Sequence, residues 1–105
     1  MQKITVELLL SAYANGYFPM ADSRNGKALH WFYPEKRGIL PLEAFHTPKS
    51  LEKFIKNNAL KYTANQAFRE VITACATRTE DTWINDEIIE LYCELNRLGF
   101  AHSVE

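Results

Sequence analysis

"AYANGYFPMADS", residues 12–23, is the stretch on which the reading of this chain turns. It begins with helix-forming residues, breaks at Asn15-Gly16, then sets Tyr17, Phe18 and Met20 around Pro19 before running into small polar residues. Glycine after the last helical turn is a stop signal, because the left-handed conformation that closes a helix costs glycine almost nothing. Three bulky apolar side chains on a proline-stiffened turn are either domain packing or one wall of a site, and the residues alone leave both open. Upstream, Thr5 is placed to cap a helix with Leu8, Leu9, Ala12 and Tyr13 on one face and Gly16 as its end.

Downstream, the polar turn "DSRNGK" leads to a β-like run, "ALHWFY", which Pro34 breaks, and "RGILPL" follows as a second short strand. Residues 28–42 are therefore expected to form a loose hairpin. Thr47 before Pro48 predicts an N-cap with proline at the first helical position, and Leu51, Phe54 and Ile55 give that helix a face to bury. "LKYTAN" predicts a short strand, and Asn65 the cap of a helix with the stripe Phe68, Val71, Ile72 and Cys75. A polar loop, "TRTEDT", then reaches Trp83.

The last helix carries the fullest set of local signals. Asn85 caps it, Asp86 and Glu87 suit the positive end of its dipole, and Ile84 and Ile89 are spaced as a hydrophobic staple. Ile88, Leu91, Tyr92 and Leu95 form its stripe, and Gly99 stops it before "AHSVE" turns strand-like. That strand has no partner ahead of it, which raises the expectation of a longer polypeptide. It also predicts an exposed edge at 101–105, with bare apolar faces on helices at 66–77 and 86–98. Such surfaces favour self-association.

With 105 residues the chain is long enough for one modest core, and 47% apolar with 24% charged residues is an ordinary globular balance. No apolar run approaches the roughly 18 residues of a membrane span. The N-terminal stretch "MQKITVELLLSAYANG" has helical spacing and no cleavage-like site, so it is expected to be structure rather than a leader. Cys75 and Cys93 form no CxxC pair and are expected as reduced thiols. The net charge of −1 conceals an asymmetry. Residues 46–61 hold Lys49, Lys53, Lys56 and Lys61 against Glu52, whereas 80–94 hold six acids and no lysine or arginine. One segment suits phosphates and the other repels them, unless both are simply solvated helix faces.

Self-contained catalytic sets are absent from the pattern. His30, His46 and His102 have no ligand spacing with cysteines or acids, so no metal is expected. The four glycines are isolated, so there is no cradle for a nucleotide or a coenzyme pyrophosphate, and no serine sits in a nucleophile motif. What remains points to binding. Trp83, just before a helix cap, is either a core residue or an indole face open for stacking on an unpaired base. Tyr13 and Tyr92 can satisfy a core hydrogen bond or orient a ligand. Lys49, Lys53 and Lys56 recur at intervals of four and three, which puts them on one helix face able to grip a phosphate backbone.

The blocks "LLLSAYANGYFPM", "HWFYPEKRGILPL", "FHTPKSLEKFIK", "YTANQAFREVITACATR" and "TWINDEIIELYCELNRLGFAHSVE" resemble, in order and spacing, the N-terminal part of leucyl/phenylalanyl-tRNA–protein transferases. The resemblance implies an α+β fold: a small N-terminal α/β domain over residues 1–58, then the strand, two helices and strand that open an acetyltransferase-like domain over 59–105, which is truncated here. It implies an aminoacyltransferase that moves Leu or Phe from leucyl-tRNA or phenylalanyl-tRNA to the α-amine of proteins beginning with Arg or Lys. That reaction marks the acceptors for degradation by the N-end rule in the cytoplasm. No cofactor, no coenzyme A and no membrane partner are implied. By position, Trp83 falls on the family's aromatic that stacks on the 3′-terminal adenosine, and Tyr92 and Tyr13 on tyrosines of the same site. Met20 stands where members often have tryptophan, and Lys49, Lys53 and Lys56 lie in a region that meets the tRNA acceptor stem. "WFYPEKRG" departs from the commoner "WWSPDPRG" but keeps Trp31, Pro34 and Arg37. The family's acid–amide pair and its "GESMFS" block would lie beyond residue 105, so no catalytic residue is expected in this chain and it is expected to be inactive alone. The rival reading is a non-catalytic module that binds RNA or a protein partner.

Overall fold

The computed structural model describes residues 3–78 and 81–105. Helix α1 (Val6–Ala14) is followed by strands β1 (Phe18–Ala21) and β2 (Leu29–Phe32), a 3-10 turn at Leu42–Ala44, and helices α2 (Lys49–Asn57), α3 (Phe68–Thr77) and α4 (Asp86–Leu98). This is the expected α+β class. Met1, Gln2, and Thr79 and Glu80 of the loop expected before Trp83 lie outside the described residues.

α4 is the spine, and its local signals act as predicted. The Asn85 side chain accepts from the Ile88 amide at 2.9 Å, and Asp86 and Glu87 occupy the first turn. Ile84 and Ile89 are buried in one cluster, so the staple closes the helix entry. Ile88, Leu91 and Leu95 are buried, with Tyr92 packed against both core clusters. One cluster joins Ala21, Ala76, Ile84, Ile88 and Ile89, and the other joins Leu9, Leu91 and Leu95. α3 and the strand pair thus cover one side of α4 and α1 the other. The bare apolar face expected on the final helix is therefore covered within the chain. Each fully buried Leu or Ile contributes about 1.5–3 kcal/mol relative to exposure.

α1 is capped as predicted, with the Leu8 amide donating to Thr5 Oγ1 at 3.1 Å. Its packed face is rotated from the expected one. Val6, Leu9 and Leu10 pack on α4, with Tyr13 one turn further, while Leu8 is half exposed. Positions 6, 9, 10 and 13 are the full i, i+3, i+4, i+7 set, and they bury more than the 8, 9, 12, 13 set would. α1 and α4 end alike. Gly16 and Gly99 both take φ of +90°, and the Tyr17 and Phe100 amides reach back to the Ala12 and Leu95 carbonyls at 2.8 Å. At Gly16 a side chain is also excluded by space, since a Cβ there would stand 2.7 Å from the Tyr33 ring.

The hairpin is not the one predicted at 28–42. β1 pairs antiparallel with β2 in the register Phe18↔Phe32, Pro19↔Trp31, Met20↔His30 and Ala21↔Leu29. "FPMA" is thus a strand, although proline disguised it as a turn; each strand of a two-stranded sheet keeps one unbonded edge, where the missing N–H is tolerated. "RGILPL" pairs with nothing among the described strands, and Ile39 is 80% exposed. Along β1, Pro19 and Ala21 are buried, whereas Phe18 and Met20 on the opposite face are only partly so.

Every residue from 35 to 62 is exposed, and the molecule is drawn out to 52 Å along one axis against 29 Å across. α2 buries none of its residues. The face expected to be buried, Leu51, Phe54 and Ile55, joins neither core cluster of the described residues, and Phe54 is 50% exposed. Pro48 rather than Thr47 is the cap residue, without a side-chain hydrogen bond, because the helix begins one residue late at Lys49.

The strand expected at "LKYTAN" is reduced to a short junction with the chain end. Ala64 bridges Val104, and Thr63 and Glu105 exchange backbone hydrogen bonds at 2.8 and 3.0 Å. The edge expected to be open at 101–105 is therefore partly paired. Asn65 does not cap α3. It sits at φ +60°, with its Oδ1 accepting from the Ser103 amide at 3.0 Å and from Asn96 Nδ2 at 3.1 Å. α3 starts at Phe68 with Ala67 as cap, while the Glu105 carboxylate takes the Gln66 amide at 2.8 Å.

Candidate functional site

Tyr13 leaves the last turn of α1 and Tyr92 the middle of α4, and their hydroxyls are in direct hydrogen-bond contact. The rings meet edge-on, 6.4 Å apart and 82° inclined. Burial first, and then the hydrogen bond with Tyr13, push the Tyr92 hydroxyl well above its ordinary pKa. It therefore stays protonated at neutral pH and offers a proton as well as lone pairs. Tyr13 remains 45% exposed, so the pair lies at the rim of the core rather than inside it.

Trp83 reaches the same scaffold by its backbone. Its carbonyl accepts from the Ala21 amide at 2.9 Å, which fixes it beside the end of β1, while 45% of the residue stays exposed. Ala21 enters the core cluster on which Tyr92 packs, and Met20 is its neighbour on the opposite strand face. A groove of about 450 Å³ is lined by Trp83 together with Phe68, Val71 and Ile72 of α3, His102 and Ser103. Of the four candidate residues, Tyr13 and Tyr92 touch. Trp83 opens on a groove that neither tyrosine lines, and Met20 joins through the strand.

Two further ties fasten this arrangement. Asn85 Nδ2 donates to the Gly26 carbonyl at 2.8 Å, and Arg24 pairs with Asp86 at 2.7 Å. Arg37, Tyr33 and Tyr17 form a second clamp. Arg37 donates to the Gly16 and Pro34 carbonyls at 2.6 and 3.1 Å, with its guanidinium 5.2 Å from the Tyr33 ring centre. Sequence reasoning missed these partners. Asn85 and Gly26 are 59 residues apart, and no periodicity links such a pair.

The basic candidates lie elsewhere. Lys49, Lys53 and Lys56 are all exposed on α2. Lys56 pairs with Glu52 at 3.1 Å, whereas Lys49 and Lys53 have no ion pair among the described residues. The acidic stretch is differently placed. Asp86 pairs with Arg24, Glu90 binds Arg69 through two contacts of 2.7 and 3.0 Å, and Glu94 pairs with Arg97. Those hydrogen bonds hold the Glu90 and Glu94 carboxyls below the usual range.

Among the described residues, no helix is long and apolar enough to cross a membrane. The profile described as leucyl/phenylalanyl-tRNA protein transferase matches residues 39–105, and the profile of that protein's N-terminal domain matches residues 2–35. Proteins named leucyl/phenylalanyl-tRNA–protein transferase are similar throughout. The one from Paramagnetospirillum magneticum is 51% identical over all of this chain and 52% of its own length. That from Zymomonas mobilis is 50% identical over 97% of this chain and 39% of its own length. That from Rhizorhabdus wittichii is 48% identical over all of this chain and 44% of its own length. The chain spans about half the length of the curated relatives it matches, or less.

Proposed function

The chain belongs to the leucyl/phenylalanyl-tRNA–protein transferase family, and on that premise we propose that it holds the aminoacylated 3′ end of a tRNA. The terminal adenosine stacks on the open face of Trp83, with Met20 as a smaller wall where the resemblance implies a tryptophan. Tyr92 and Tyr13 orient the ribose and the ester. Lys49, Lys53 and Lys56 follow acceptor-stem phosphates. The chemistry served is transfer of Leu or Phe to the α-amine of a protein beginning with Arg or Lys. The amine nitrogen bonds to the ester carbonyl carbon, the bond from that carbon to the ribose oxygen breaks, and a proton of the amine passes to that oxygen, which leaves as the hydroxyl. An α-amine has a pKa of about 8 and is partly neutral near pH 7, so no covalent nucleophile or cofactor is needed.

The observation that carries this reading is the Tyr13–Tyr92 hydroxyl contact at the rim of the core whose other edge holds the Trp83 carbonyl. A hydroxyl pair and a half-exposed indole carried at two edges of one core suit a nucleoside, which needs one stacking face and a few polar contacts. On this reading residues 1–58 are an N-terminal unit and 59–105 the opening of an acetyltransferase-like unit, and the two hold aminoacyl-tRNA in the cytoplasm.

The test measures phenylalanyl-tRNA affinity and melting temperature on the same Trp83→Ala sample. Stacking a base on an aromatic is worth about 1–3 kcal/mol, so affinity should fall about ten- to a hundredfold. Melting should change little, because the ring is nearly half exposed. A large fall in melting temperature with normal affinity in the folded fraction would make Trp83 a packing residue and defeat the reading.

A further inference from the structure

Asn85 is 3% exposed, and both ends of its amide are used. Oδ1 accepts from the Ile88 amide at 2.9 Å, which caps α4. Nδ2 donates to the Gly26 carbonyl at 2.8 Å, in the connection between β1 and β2. The orientation of the amide is fixed, since one partner can only donate and the other can only accept. Capping explains the first bond and asks only for an oxygen; serine or aspartate would do it equally well. It does not explain why the residue carries a donor aimed at the hairpin.

We infer that Asn85 is a positioning residue for Trp83, an inference that rests on the nucleoside-binding reading above. Trp83 lies two residues before it, and the Trp83 carbonyl is held by Ala21 at the end of β1. The Gly26 bond and the Ala21 bond therefore tie the Trp83–Asn85 segment to the end of β1 and to the β1–β2 connection beyond it. Arg24–Asp86 adds a third tie from the same connection, on the exposed side. With the segment held at both ends, the indole is presented at a fixed height beside the strand that carries Met20. Without the Gly26 bond, the segment keeps its helix start but its strand contact becomes free to open.

The separating variant is Asn85→Ser in the 105-residue chain. It keeps an oxygen for the Ile88 amide, while its shorter side chain no longer reaches the Gly26 carbonyl. The first readout is amide hydrogen exchange at two sites. Loss of one hydrogen bond corresponds to about a tenfold change in local opening. Ala21 protection should therefore fall about tenfold, while Ile88 protection stays as in the wild type. The second readout is affinity for 3′-phenylalanylamino-3′-deoxyadenosine, an amide analogue of the aminoacylated end. It should weaken about fivefold as the stacking face loses preorganisation. Asn85→Asp provides the same comparison should the serine variant fail to fold. Unchanged Ala21 protection, or a parallel loss at Ile88 and Ala21, would overturn the inference and leave Asn85 a cap alone. If Ala21 protection falls while neither wild type nor variant binds the analogue, the positioning role stands and the nucleoside reading fails.

Discussion

α4 and α2 are both amphipathic and both rich in one sign of charge, yet the chain uses them in opposite ways. α4 buries Ile88, Ile89, Leu91 and Leu95, and Asp86, Glu90 and Glu94 each find an arginine. α2 buries nothing, and two of its three lysines have no counter-ion among the described residues. The difference lies in where the partners come from. Arg24 and Arg69 arrive from other parts of the chain, whereas α2 has only Glu52 within its own turns. Exposed pairs of this kind add little stability. Their consequence is to offset three of the four acids of α4, whereas only one of the three lysines of α2 is offset among the described residues. A charge count along the sequence treats the two segments as equals, and geometry separates them.

The largest expected effect tests the packing side of this contrast. Ile88→Ala removes a fully buried side chain and should cost about 2–5 kcal/mol. Phe54→Ala, at a half-exposed position, should cost under about 1 kcal/mol. Thermal melts of both variants at two protein concentrations provide the comparison. If Phe54→Ala destabilises as much as Ile88→Ala, and more so at higher concentration, α2 is covered in solution by a second copy and the self-association expected from the sequence is the reason.

A smaller effect sharpens the same contrast through pH. The Glu105 carboxylate is held below its ordinary pKa first by the Gln66 amide and then by the Thr63 and Ser103 hydroxyls. A depressed carboxylate contributes stability that is fully present above the unfolded value, about 4.3, and is lost as pH falls through the folded value. Acidification below about pH 4.3 should therefore loosen the junction of residues 63–66 with 103–105. Exchange at the Gln66 amide should rise there, and Glu105→Gln should show the faster exchange already at pH 7. Equal protection of the Gln66 amide in wild type and variant at pH 7 would contradict the assignment.

How much of this was legible in the sequence depends on distance along the chain. The cap, staple and stop of α4 lie within a turn of the residues they act on, and they were readable. So was the glycine end of α1. The strand in "FPMA" was missed because proline hid the alternation and its partner lies eleven residues on from Phe18 to Leu29. Asn65 has the right residue type and place for a cap, but Ser103 and Asn96 claim its oxygen from 38 and 31 residues away. The apolar stripe of α2 is real, yet periodicity reports that a face exists and is silent on whether anything covers it. For the candidate site, the resemblance named Tyr13 and Tyr92, and their contact across 79 residues has no local signal.

On the proposed reading, Lys49 and Lys53 of α2, which have no ion pair among the described residues, meet phosphate, while α4, with three of its four acids paired, does not. The most direct measurement is the salt dependence of phenylalanyl-tRNA binding by the wild type and by a Lys49→Gln, Lys53→Gln double variant. Removing one lysine–phosphate interaction should flatten the log–log slope by about 0.9 for a duplex stem, so the slope of the double variant should be shallower by about 1.8. Lys56→Gln should change it less, because Glu52 already shares that charge. A slope and an affinity that both match the wild type in the double variant would make the basic face of α2 a solvated surface and contradict the account.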